Sequence, residues 1–236
     1  MNELQLGSMT VEVVLKDIKH IHLSVYPPEG KVRVAAPLHM TLDTIRVYAV
    51  SKLDWIKRQQ EKFRRQQRQT PQEFINRESH YFLGRRYLLK VMEIDASPRV
   101  LLKHKTMTLQ VRPGADLAKR REVLDEWYRA RLKEILPPMI KAWEQRLEVE
   151  VAEFGIKKMK TKWGSCQRDA KRIWLNLDLA KKPPECLEYV VAHEIAHLLE
   201  RRHSLRFVAL LDAWLPKWRL VKEELNRLPV AYEIWK

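Results

Sequence analysis

The sequence predicts an α+β fold: a strand-rich N-terminal part packed on a helical core that carries a small β-sheet. Three observations predict it. Apolar and polar residues alternate through the first forty residues and again through 81–111, the period of half-buried strands. From about residue 116 the apolar spacing changes to steps of three and four, the period of helices. Among those helical stretches lies one short alternating run, Ile173-Trp174-Leu175-Asn176-Leu177, enough for a small sheet.

Each element can be justified in order. Val11, Val13 and Leu15 form one strand face, and Ile21, Leu23 and Val25 another. Pro27-Pro28-Glu29-Gly30 supplies turn chemistry before Val32 and Val34, so 21–36 reads as a hairpin. Thr41 is an N-cap with Asp43 in the first turn, and Leu42, Ile45, Val47, Val50, Leu53 and Ile56 follow a helical period. That helix runs on to Arg68 with seven basic and two acidic residues from Lys52. Strands return at 81–94 and 100–111 around a turn at Ala96-Ser97-Pro98. A long helical pattern covers 116–146, and Pro137-Pro138 should break it. A strand at 149–154 and the run 173–177 come next, then a helix that opens on Pro183-Pro184. No internal repeat is visible. The division between the two parts is placed at 1–115 and 116–236.

With 236 residues, 45% of them hydrophobic, the chain can bury a core. No apolar run approaches the length needed to cross a bilayer, and the first fifteen residues lack the basic and apolar regions of a secretory signal. The expected location is the cytoplasm. Two cysteines, Cys166 and Cys186, are too few for a disulfide framework and are expected as free thiols. The net charge of +15 attracts anions, so nucleic acid, acidic segments and nucleotides all enter as partners. The basic helix 52–68 could track phosphates, although only Trp55 and Phe63 could stack on bases.

The chemistry centres on His193-Glu194-Ile195-Ala196-His197. Residues four apart on a helix lie one above the other, so both imidazoles can grip one ion. Glu194 projects beside them, placed to accept a proton from water rather than to ligate. Leu187, Val191, Ile195 and Leu198 recur at steps of four, four and three, a core-facing stripe that turns the histidines towards a cleft. His203, six positions after His197, is the expected third ligand, with Glu223, Glu224 and Asp212 as competitors. Three imidazoles and an open fourth position suit Zn2+, though nickel or manganese remain open. Metzincins place a glycine between the second and third ligands and a methionine turn downstream. Here Glu200 stands at that position and no methionine follows Met159, so Arg201-Arg202 must make the reversal and Ser204 caps a helix from Leu205.

Taken together, Trp163-Gly164-Ser165-Cys166, Asn176-Leu177, Tyr189-Val190-Val191, the histidine motif, and His203-Ser204 followed by Phe207 resemble the YgjP-like metal-dependent hydrolases, relatives of the SprT-like zincins. The resemblance is dense over 150–215. It implies a zincin-like core, a metal on His193, His197 and His203, and Glu194 as the catalytic residue. It implies a metallopeptidase, while a metal-dependent nucleotide pyrophosphatase acting on a nucleoside triphosphate such as UTP stays open. A DNA-associated protease or binding module is a third reading. The family places the segment Trp163, Gly164, Ser165 and Cys166 by the cleft, and with Asn176 these are the expected substrate wall. Gly164 would allow close backbone approach. Strand 173–177 could hold an extended peptide by edge pairing. From Lys157 to Lys182 nine basic residues stand against two acidic ones, a field that would favour a polyanion if it faced the cleft. The other histidines, His20, His22, His39, His80 and His104, fit no ligand pattern, and Trp214 and Trp218 read as core.

Overall fold

A computed structural model describes residues 2–26, 29–65, 72–159 and 162–227. The chain divides into two compact units, Met1–Gln67 and Arg68–Lys236. The sequence expectation put this division near residue 115. The second run of strands instead shares its core with the helices: Leu89, Met107 and Leu109 pack in one cluster with Leu124, Tyr128 and Leu132.

The first unit holds β1 (Asn2–Leu6), β2 (Met9–Lys16), β3 (His22–Tyr26), β4 (Lys31–Pro37), α1 (Leu42–Ser51) and α2 (Leu53–Arg65). The sheet order is β1-β2-β4-β3, with β2 and β4 parallel and the outer pairs antiparallel. Val11, Val13, Val32 and Val34 are buried against Ile45 and Ile56. The expected β3–β4 hairpin forms; its Pro27-Pro28 lies outside the described residues. Thr41 caps α1 by accepting from the Thr44 N–H at 3.3 Å. The helix expected to run unbroken to Arg68 divides at Lys52, and 66–68 lie outside the described residues. Its apolar stripe is narrower than the sequence implies. Ile45, Ala49 and Ile56 are buried, whereas Leu42, at the start of α1, and Val47 and Val50 are exposed.

The second unit opens with β5 (Ser79–Phe82), β6 (Arg85–Glu93), β7 (Arg99–Lys103) and β8 (Thr106–Val111), in the order β5-β6-β8-β7 with β6 and β8 parallel. This is the order and sense of the first sheet, a topological repeat that the sequence reading did not find. The repeat resides in hairpins and register (Leu6↔Met9 across Gly7-Ser8, Phe82↔Arg85 across Leu83-Gly84), not in residue identities. Leu83 and Gly84 both take positive φ, 47° and 75°, as a tight hairpin turn requires. That turn docks on the metal-helix side of the unit: Leu83 N–H donates to the Ala180 carbonyl at 2.8 Å.

A single helix, α3 (Leu117–Leu147), follows, capped by Asp116. The break expected at Pro137-Pro138 does not occur. Both prolines are exposed, and the carbonyls they leave unbonded belong to the exposed residues Lys133 and Glu134, where water can serve them. On the other face Leu124, Tyr128, Leu132, Leu136, Ile140, Trp143 and Leu147 continue the buried stripe across the prolines.

Then come β9 (Glu153–Lys157), four residues later than the strand expected at 149–154, β10 (Gly164–Gln167) and β11 (Arg172–Asn176). Their order is β10-β11-β9. Strand β11 is therefore central and has no free edge, which removes it as a site of edge pairing; β10 and β9 are the edge strands. A short 3-10 helix (Leu177–Lys181), α4 (Pro184–Leu199), α5 (Leu205–Trp214) and α6 (Trp218–Arg227) complete the unit. Trp218 is buried as expected, but Trp214, the last residue of α5, is 47% exposed. No helix among the described residues is long and apolar enough to cross a membrane.

Candidate metal centre

Helix α4 starts where proline tolerates the missing N–H, with Pro184 in its first turn, and it lies against α3, β10, α5 and α6. Leu187, Val191 and Ile195 are fully buried, as their spacing predicted. The last carbonyls of the helix are not left to water alone. Arg168, in the turn after β10, donates its Nε–H to the Leu198 carbonyl at 3.0 Å and an Nη2–H to Leu199 at 3.4 Å. The chain then reverses through Arg201-Arg202, and Ser204 caps α5 by accepting from the Phe207 N–H at 3.3 Å. This reversal carries His203 back over the helix.

His193, His197 and His203 each present a ring nitrogen within 4.8 Å of the other two. His193 Nε2 and His203 Nε2 lie 3.1 Å apart. Two nitrogens on a tetrahedral zinc at ~2.0–2.1 Å sit about 3.3 Å apart, so the donor set fits such an ion. The protonation states suit it too. Burial, then the neighbouring imidazoles His197 and His203, hold the His193 ring down at about 3, and burial likewise lowers His203, so both rings are neutral at neutral pH. His197 Nδ1–H donates to the Glu200 carbonyl at 3.0 Å, which fixes the tautomer and leaves Nε2 free to ligate. The competitors fall away. Asp212 is engaged by Trp218 Nε1 at 2.8 Å and by Arg219, and neither Glu223 nor Glu224 joins the donor cluster among the described residues.

One aromatic ring unites the three imidazoles. Phe207, 2% exposed, has its centroid 5.0 Å from His193, 4.7 Å from His197 and 4.9 Å from His203. It is a hydrophobic floor that the sequence reading did not assign. Its position four residues after His203 was the available signal. Tyr189, one helical turn before His193, meets that ring edge-on and stacks on Trp218 at 6.2 Å, a second packing restraint.

Glu194 is buried beside this cluster. Burial pushes its carboxyl up to about 8, with Lys162 pulling the other way. A base poised near neutrality can both take and return a proton. Glu194 packs against the backbone of β10: a Cβ built on Gly164 would stand 2.6 Å from Glu194 Oε1 and 2.7 Å from Cγ. Any side chain there would displace the carboxylate.

These groups open into a cleft of about 490 Å³. Trp163, Gly164, Ser165 and Cys166 line it, as expected for a substrate wall. Asn176 does not. It is 3% exposed, and its side chain bonds the Met159 and Lys162 carbonyls at 2.9 and 2.8 Å, so it ties down the segment before β10 instead of meeting ligand. The Cys166 thiol is pushed up to about 11 by burial and by Glu194, which leaves it a poor nucleophile. Lys162 and Lys222 also line the cleft, and sequence reasoning singled out neither.

A family model of the YgjP-like metallopeptidase domain matches residues 19–228. The chain belongs to the YgjP-like family. As a YgjP-like protein it is a metal-dependent hydrolase of metallopeptidase type. Two solved structures resemble part of this YgjP-like chain. The metallopeptidase zymogen jannalysin of Methanocaldococcus jannaschii is 21% identical, with a TM-score of 0.34, over 37% of this chain and 90% of its own. The metallopeptidase zymogen abylysin of Pyrococcus abyssi is 19% identical, with a TM-score of 0.36, over 39% and 97%. No curated protein matches the sequence.

Proposed function

We propose that the protein is a zinc-dependent metallopeptidase in which His193, His197 and His203 hold the ion and Glu194 is the general base. The convergence of three imidazoles beside a buried carboxyl carries this reading. A bound zinc ion would supply Lewis acidity, polarising the scissile carbonyl and acidifying water in its open position.

The chain's own residues do the rest. A Glu194 carboxylate oxygen takes the proton from the attacking water and returns it to the leaving amine nitrogen. Gly164 gives that carboxylate its room, and the Glu200 carbonyl orients His197. Strand β10, the edge of its sheet that forms one wall of the cleft, offers backbone N–H and C=O groups to an extended peptide, the mode by which a sheet edge recognises a strand. Trp163 and Tyr189 supply apolar surface beside it.

The direct test is Glu194→Gln. The variant should bind zinc in a one-to-one ratio, measured by elemental analysis, and lose at least ~100-fold in turnover of a peptide substrate, the scale of general-base catalysis. Retained turnover would remove Glu194 from the mechanism.

A further inference from the structure

We propose that the cleft selects peptides with carboxylate side chains on the residues flanking the bond it cuts, and that Lys162 and Lys222 recognise them. This rests on the peptidase reading and deepens it. The two lysines reach the cleft from different elements. Lys162 stands just before β10, and Lys222 lies on α6; both β10 and α6 pack on the metal helix α4. A peptide held along β10 across the imidazoles therefore shares the cleft with two cations brought there by different elements.

The balance of charge within the cleft has one sign. Glu194 is the only carboxylate among its lining residues, and it is committed to proton transfer. No carboxylate forms an ion pair with Lys162 or Lys222 among the described residues, so the two amines are available to a substrate. Lys222 Nζ lies 5.4 Å from the Trp218 ring centroid, a cation–π contact that restrains the amine. Acidic side chains are thus attracted and basic ones repelled. Exposed pairs of this kind are modest in strength and screened by salt, so the effect is a preference and not an absolute requirement.

The test uses the zinc-loaded full chain and three quenched fluorogenic peptides, identical except for Glu, Gln or Lys on both sides of the cleaved bond. The expected order of kcat/KM is Glu, then Gln, then Lys, with Glu about three- to tenfold over Gln at low salt. The gap should narrow at about 0.5 M salt. Lys162→Glu and Lys222→Glu should each flatten the Glu-to-Lys preference, and the two together should reverse it, with zinc content unchanged, while Lys→Arg variants should keep it. Equal turnover of the Glu and Gln peptides, or an unaltered preference in both Lys→Glu variants, would overturn the proposal and leave the peptidase reading standing. If zinc-loaded protein cut none of the peptides but released pyrophosphate from a nucleoside triphosphate, the peptidase reading itself would fall.

Discussion

At the scale of single residues, the missing side chain of Gly164 decides where the Glu194 carboxylate sits. The glycine does not need its conformational freedom here; it needs only to occupy no space, because Glu194 lies where a Cβ would reach. Gly164→Ala should therefore keep zinc content at wild-type level and lower kcat by roughly 100-fold, the scale of a ~1 Å misplacement of a reacting group. An alanine variant with full kcat would show that Glu194 has slack. The pairing of His193 with His197 was legible because a helix brings residues four apart together. The contact of Gly164 with Glu194 was not, because thirty positions separate them and only the packing of β10 on α4 joins them. Asn176 was misread for a related reason: an amide near a cleft in sequence can face the loop behind it.

Elements set these residues in place through their ends. Ser204 and Arg168 secure the turn that carries His203, one by capping α5 and the other by meeting the final carbonyls of α4. Before α4, the 3-10 helix depends on a buried pair, Asp178 Oδ1 to Lys181 Nζ at 2.7 Å. Burial pushes the Asp178 carboxyl up, but Lys181, with Lys158 and Lys182 adding to it, outweighs burial and holds it below its ordinary value. The unfolded chain then binds more protons than the folded one at acid pH. The pair's contribution is present above about pH 4, the unfolded value, and is lost as pH falls through the depressed folded one. Asp178→Asn should cost about 3 kcal/mol at neutral pH by leaving Lys181 buried and unpaired. It should also flatten the acid limb of a denaturant-stability profile. A variant that loses stability in acid as steeply as wild type would assign that limb to other groups. Helix α3 shows the limit of local rules. Paired prolines predicted a break, yet the helix continues because their cost falls on the solvent side while the buried face is uninterrupted.

For the whole molecule, zinc and folding should be coupled. The donor cluster lies within the unit Arg68–Lys236, drawing on α4 and the turn before α5, so an ion bound there favours the folded unit. With free zinc ~1,000-fold above its dissociation constant, the gain is about 4 kcal/mol. That corresponds to a rise of roughly 10 °C in the melting transition of that unit, reversed by a chelator. In His203→Ala most of this zinc-dependent shift should vanish; a shift of undiminished size would mean that a different third group ligates.

The sequence by itself determined the α+β class, the helix that carries His193, Glu194 and His197, the capped turn that returns His203, and the free state of both cysteines. All of these depend on local periodicity, capping or composition, which neighbouring residues settle among themselves. Only the tertiary structure decided that the division falls at residue 67, that two sheets repeat one topology, and that β10 rather than β11 is an edge strand. It also decided that Phe207 lies under all three imidazoles and that Lys162 and Lys222 share the cleft. Those facts depend on which apolar faces pack together, and that choice is made by contacts between residues far apart in the chain.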